Sequence, residues 1–316
     1  MIELGLGPQD VLHLRFAVSP LWETLAAVRA ASVGPMPQAM QPWRRLVDPP
    51  LTPLLTAVQT DAAYTPDFLT PPPRAGERSV DDEIALVAET PLTVVRDELR
   101  RCRLSGAHLL PALSPGRARD QVVGEMRRAW AQLLQPHWPR LHRVLATDVD
   151  HRSRRLVTGG IAALLADLHP AVTFQDGTLR VRGPVKERRE LQGEGVVLMP
   201  SLFGTGRPLV ILDPPYQPTL IYPVRGVATA FSRPVAPADA LVRLLGQGRA
   251  EVLAGLDDAA GTGDLAIQLV RSDSTVSEHL HVLRAAGLVD VTRQGKASRW
   301  SRTELGNALV AGPLSG

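Results

Sequence analysis

Apolar and polar positions alternate with a helical period along most of the first half of the chain, then with a strand period, and with a helical period again near the C-terminus. Met1 to Leu6 alternates apolar and small residues, which predicts an edge strand. Ser19-Pro20 opens a helix, an N-cap followed by proline in the first turn, and Leu21, Leu25 and Val28 line one face. Residues 34–73 are proline-rich but interleaved with Trp43, Leu54, Leu55, Tyr64 and Phe68, so they read as a wrapping segment. Ser79 to Asp82 is a capping signal for a helix through Ala88; Pro91 breaks it, and a second helix runs to about Arg103. Arg117 to Gln135 is amphipathic, with Val122, Met126, Ala129 and Leu133 inward. Leu141 to Leu168 is largely helical with a kink at Gly159-Gly160. The period then changes. Val172–Phe174, Thr178–Val181, Gly195–Met199, Leu209–Leu212 and Thr219–Tyr222 are short, β-rich and separated by Gly or Pro, which predicts a small sheet packed on the helices.

Near the C-terminus, with Val276 on the buried face and about 100° per residue, Leu280, Leu283 and Gly287 return to that face. Ser274, Ser277, His281 and Ala285 point away, leaving a small, polar exposed face that suits a helix lying in a major groove. Ser272 and Asp273 supply capping oxygens, and Gly287 is placed to end the helix in a left-handed residue. Leu288–Thr292 and Ala297–Ser301 read as strands joined by a turn at Arg293-Gln294-Gly295-Lys296. Residues 271–302 hold six basic and three acidic side chains, an excess suited to phosphate or minor-groove contact. Helix, capped end and basic hairpin in this order predict a winged helix-turn-helix. Ser274, Thr275, Ser277 and His281 are the candidates for groove contact; Arg284, Arg293, Lys296 and Arg299 are the candidates for phosphate or minor-groove contact. Trp300 is expected to brace the hairpin, and His279 to flank the core.

Residues of about 241 to 310 resemble the ArsR family of bacterial transcriptional regulators. The resemblance rests on Leu244-Leu245-Gly246, Arg249, Val252-Leu253, Thr262-Gly263-Asp264-Leu265-Ala266, Ser274 to Leu280 and Leu283 to Val289. The preceding part resembles the long uncharacterised extension of a group of actinobacterial members. The resemblance implies a cytoplasmic homodimer that binds a palindromic operator in double-stranded DNA as a repressor. Two departures stand out. Val270 and Arg271 occupy the inter-helix turn where the family has Gly then Leu, and a β-branched residue is costly at positive φ. Leu265 to Leu269 lacks Cys, and Thr303 to Ala311 lacks His and Asp, so the family's metal chemistry is not carried over.

The fold class expected is α+β: a mainly helical N-terminal region with a small sheet (1–236), then a C-terminal winged helix-turn-helix domain (237–316), joined by a linker at Phe231–Pro237. The 316 residues suffice for two or three domains. Net charge is only +3, and from Pro237 onward eight basic residues face nine acidic ones, so basicity is local to the hairpin. DNA affinity then leans on dimerisation and shape. No apolar run reaches membrane-spanning length and no signal peptide opens the chain, so no membrane partner is expected.

Candidate chemistry outside the C-terminus is sparse. His137, His142, Asp148, Asp150 and His151 do not share one helical face, and a surface scatter is expected rather than a metal site. Cys102, the only cysteine, excludes an intrachain disulfide; Arg100, Arg101 and Arg103 around it are of the kind that lowers a thiol pKa. Gly5-Leu6-Gly7 and Gly204-Thr205-Gly206 lack the spacing of nucleotide loops. Catalytic residues, cofactor and metal are therefore expected to be none. The N-terminal region has two readings. Trp22, Trp43, Trp130 and Trp138 line a pocket for a small apolar or aromatic effector, or they fill the core of a dimerisation scaffold. A third reading, from another class, is an enzyme with the winged helix as docking module.

Overall fold

The computed structural model describes residues 1–32, 43, 52–60, 65–73, 79–104, 112–204, 206–214, 216–225, 237–256, 259–269, 271–294 and 297–311. The architecture is mixed α+β. It divides into two compact units, one running to Val224 and one from Arg225 onward. The expected linker at Phe231–Pro237 lies outside the described residues apart from Pro237. Among the described residues no helix is long and apolar enough to cross a membrane.

The N-terminal unit contains strands β1 (Ile2–Gly5), β2 (Arg15–Phe16), β3 (Val172–Gln175), β4 (Thr178–Val181), β5 (Glu187–Glu190), β6 (Val197–Ser201), β7 (Leu209–Ile211) and β8 (Thr219–Pro223). Its helices are α1 (Pro8–Leu12), α2 (Pro20–Ser32), α3 (Pro53–Thr60), α4 (Val80–Ala88), α5 (Leu92–Leu104), α6 (Pro115–Ala129) and α7 (Trp138–Ala166). A π-helical turn, Trp130–Leu134, continues α6. The strands form two four-stranded sheets, ordered β3-β4-β1-β5 and β2-β6-β8-β7, rather than the single sheet expected.

Several of these elements follow from local chemistry. Ser79 and Asp82 form the capping box expected ahead of α4. Asp176 (φ 50°) and Gly177 (φ 70°) supply the two positive φ values that a tight β3–β4 hairpin needs. Val122, Met126, Ala129 and Leu133 are buried, as their spacing predicts. Gly160 breaks α7 with φ 69°, where the kink is expected.

Other expectations need correction. β1 is interior, paired with β4 on one side and β5 on the other. β5 has the sequence Glu-Arg-Arg-Glu; an edge strand largely facing water needs no apolar alternation to form. β6 starts at Val197 rather than Gly195, because Gly195 takes φ 71° against the His13 carbonyl. Of the histidine and aspartate set only Asp148 is buried; His137, His142, Asp150 and His151 reach the surface. Asp148 is buried beside Arg152, His142 stacks on Trp138 and His151 meets Asp167. Cys102 is buried, and burial pushes its thiol up despite the neighbouring Arg103.

Buried carboxylates tie distant segments of this unit together by accepting backbone N–H bonds. Glu125 on α6 accepts from Leu54 and Leu55 at 3.2 and 2.8 Å, capping α3. Glu83 on α4 accepts from Leu21 and from the Ser19 hydroxyl, capping α2. Asp10 accepts from Gly193 and Gly195. Each bond joins groups remote in sequence, so together they fix the tertiary arrangement where apolar packing alone is non-directional.

The C-terminal unit contains α8 (Asp239–Leu245), α9 (Gln247–Ala254), α10 (Thr262–Leu269), α11 (Asp273–Ala285), β9 (Val289–Gln294), β10 (Ala297–Arg302) and α12 (Glu304–Ala311). Its core joins Leu253, Leu265, Val276, Leu280, Leu283 and Trp300.

Candidate functional site

In the C-terminal unit α11 is held by its ends and by one face. At its start the Ser272 hydroxyl accepts from the Thr275 N–H at 3.1 Å. At its end Gly287 takes φ 72°, its N–H reaches Arg284 O, and the Leu288 N–H reaches Leu283 O. That double closure is the Schellman arrangement, and it turns the chain directly into β9. Val276, Leu280 and Leu283 are buried, while Ser274 and His281 are exposed and Ser277 is partly so. Thr303 then ties α12 back, its hydroxyl donating to Gly287 O and its N–H to Leu288 O. Gly306 in α12 packs so closely that a methyl group there would strike the Leu288 carbonyl.

The hairpin β9–β10 is anchored to α10. Ala260 and Trp300 exchange both backbone hydrogen bonds, and the Trp300 indole donates to Thr262 Oγ1 at 3.1 Å. Trp300 therefore braces the hairpin as expected. Pairing extends through Gln294 and Ala297, so Arg293 and Gln294 belong to the strand and not to the turn.

A surface groove of about 850 Å³ lies between these elements, lined in part by Thr262, Asp264, Asp273, Ser274, Ser277 and Arg299. It brings Ser274, Ser277 and Arg299 together. The Ser274 and Thr275 hydroxyls also meet the Ser272 cap, each at 2.8 Å. His281 packs its ring edge against Trp300, with centroids 5.7 Å apart. Arg284 is exposed in the last turn of α11. Lys296 and the Arg293 side chain lie outside the described residues. Arg299 is not an isolated cation, since it pairs with Asp264 at 3.3 Å. The sequence reading missed that acidic component. Its one signal is Asp264 placed three residues after Gly261, whose N–H it caps.

Arg271, between α10 and α11, pairs with Glu251 on α9 at 2.7 Å. Burial alone would raise the Glu251 carboxyl, but hydrogen bonds from Gln247 and Arg271 outweigh it and hold it low. Val270 lies outside the described residues. His279 borders the core, its Nε2 crowding the space beside Gly248 on α9.

In the N-terminal unit a cavity of about 470 Å³ opens between α2 and the second sheet. Trp22, Leu25 and Arg29 of α2 face Phe203, Ile211 and Ile221 across it. Of the four N-terminal tryptophans only Trp22 lines this space, its indole N–H donating to Ser201 Oγ at 3.0 Å. Trp43 is fully buried against Phe203, and Trp130 meets Trp138 edge-on at 5.1 Å. A second cavity, of about 620 Å³, is lined by Arg15, Pro71, Pro91 and Tyr216 among others.

The buried Glu23 fixes the loop that closes the first cavity, accepting from the Leu202 and Phe203 N–H groups at 3.1 and 3.2 Å. Burial pushes its carboxyl up to about 7, against the opposing pull of Ser201 and those backbone donors. The folded state therefore holds a proton that the unfolded chain, at its ordinary 4.5, has released. The stabilisation is complete below about pH 4.5 and is lost as pH rises to about 7, a swing of roughly 3 kcal/mol. Urea unfolding followed by tryptophan fluorescence at pH 5 and pH 7.5 is expected to show this loss, and Glu23→Gln to flatten it. An equal pH dependence in the variant would refute the assignment.

Residues 100–228 match a family of unknown function, DUF5937. No curated protein and no solved structure matches the chain. The DUF5937 span runs from the end of α5 past β8 and stops before α8. It contains Asp148, Arg152 and Tyr222 and the Phe203 wall of the cavity, but not α2 with Trp22. The groove of the C-terminal unit lies almost wholly beyond it, only Arg225 falling inside.

Proposed function

We propose that the chain is a transcriptional regulator whose C-terminal unit is a winged helix-turn-helix resembling those of the ArsR family. The observation that carries the reading is the presentation of α11. Its apolar face is clamped by Val276, Leu280 and Leu283, both ends are capped, and the opposite face offers Ser274 and Ser277 beside a hairpin bearing cations. Small polar side chains let a helix approach base edges, and cations on the flanking hairpin neutralise phosphates. Two copies related by a two-fold axis would each place α11 in one half of a palindromic operator. Asp264 offsets part of the Arg299 charge, so the groove favours DNA less than a bare cation count suggests. The N-terminal unit carries the regulatory input, and its open cavity, with Trp22 and Phe203 in the lining, favours an effector site over a plain dimerisation scaffold.

Arg293→Ala with Lys296→Ala tests the hairpin. The double variant is expected to weaken binding to all duplexes and to lower the slope of log K against log salt by about one to two units. Unchanged affinity and slope would remove the hairpin from the interface.

A further inference from the structure

We propose that the cavity beside α2 binds a small carboxylic acid with an apolar, aromatic body. Trp22, Leu25, Ala26 and Arg29 follow the i, i+3, i+4, i+7 spacing of one helical face, and all four line the cavity. Ala26 leaves room between its larger neighbours. Ile211 of β7 and Ile221 of β8 form the opposite wall with Phe203. The indole N–H of Trp22 is already used by Ser201, so its ring offers the cavity an apolar face. Phe203 is backed by Trp43 at 4.6 Å between ring centroids, and its loop is fixed by Glu23, so this wall exists before any ligand arrives. A volume of about 470 Å³ is in the range that holds small organic ligands.

The polar groups set the ligand's charge. Gln59 donates its amide to Leu55 O. Asp67 also lines the cavity; it has interactions elsewhere, and its charge helps hold the Tyr216 hydroxyl un-ionised. Arg29 lines the cavity, is exposed, and forms no ion pair with a described residue. A guanidinium at the mouth of an apolar, aromatic cavity matches a carboxylate, which it grips through two parallel N–H bonds. Arg29 also stands in the last turn of α2, where a cation steadies the helix end, and the test separates that structural role from binding.

As a sensor site the cavity rests on the regulatory reading. Binding is measured on the full chain without DNA, so failure here and failure of operator binding are read separately. Titration calorimetry compares 3-phenylpropionate, 3-phenylpropylamine and 3-phenyl-1-propanol. The acid is expected to bind one per chain and at least tenfold tighter than the amine or the alcohol. Arg29→Gln is expected to remove that advantage while leaving the alcohol's affinity unchanged, whereas loss of the helix-end role alone would shift the unfolding curve and keep the acid's advantage. The change in tryptophan fluorescence on binding is expected to vanish in the conservative Trp22→Phe variant. Equal affinity for acid and alcohol, undiminished acid binding in Arg29→Gln, a fluorescence change that survives Trp22→Phe, or no binding of any of the three would each overturn the proposal.

Discussion

Arg152→Met is expected to cost the N-terminal unit about 3–5 kcal/mol, enough to unfold a domain of ordinary stability. Arg152 is 1% exposed, and its guanidinium serves several partners at once. Nε donates to Asp148 Oδ2 at 3.4 Å, and one terminal nitrogen donates to the Asp167 backbone oxygen and, at 3.2 Å, to its carboxylate. The same guanidinium lies 5.4 Å from the centre of the Tyr222 ring. Burial, reinforced by Asp148, keeps the Tyr222 hydroxyl well above its ordinary pKa. Removing the cation leaves the buried Asp148 carboxyl without its guanidinium partner, which is where the cost arises. Adding Asp148→Leu to Arg152→Met is expected to recover much of the loss, since an apolar pair of similar volume leaves no stranded charge. Urea unfolding of the parent and the two variants checks this. A single-variant loss below about 1 kcal/mol, or a double variant no better than the single, would contradict it.

Ser277→Glu is expected to weaken operator binding by about a hundredfold, or ~2.7 kcal/mol, with unfolding unchanged. Ser277 stands partly exposed, about 100° around α11 from the buried Val276, and it lines the groove. Glutamate forms helix better than serine, so the fold is preserved. Its longer side chain holds the helix away from the bases, and its charge opposes the phosphates. Ser277→Ala lacks both effects and is expected to stay within a few-fold of the parent. Anisotropy titrations with a labelled operator, paired with thermal unfolding, separate the two outcomes. Wild-type affinity in Ser277→Glu would take this face out of the interface.

Helices carried by apolar period were legible in the sequence. Val122, Met126, Ala129 and Leu133, or Val276, Leu280 and Leu283, repeat at helical spacing and are buried accordingly. So were breaks with a steric cause, such as Gly160 and Gly287, which take φ 69° and 72°. What escaped was polar. The Glu-Arg-Arg-Glu strand β5 has no apolar face to announce it. Glu23, Glu83 and Glu125 look like surface charge until distant backbone donors are brought to them by the fold, and the i, i+4 pair of Asp148 and Arg152 looks like a surface pair until packing buries it. The same holds at the candidate site. The residues of α11 could be placed from periodicity, but the Asp264–Arg299 pair joins two elements 35 residues apart, and no local pattern encodes it. The aromatic cavity was half legible: the tryptophans marked an aromatic-rich region, yet only packing decides that Trp22 lines a cavity while Trp43 fills core.

The proposed function requires sequence-specific recognition of duplex DNA by α11 and the hairpin in a two-fold dimer. Its most direct test is selection of binding sites from a random duplex library with the full chain, followed by hydroxyl-radical footprinting of the winner. Enrichment is expected of an inverted repeat whose half-sites are centred about one helical turn, roughly 10 base pairs, apart, with protection of both halves on one face. Selection that enriches no common sequence, with all duplexes bound equally weakly, would contradict it.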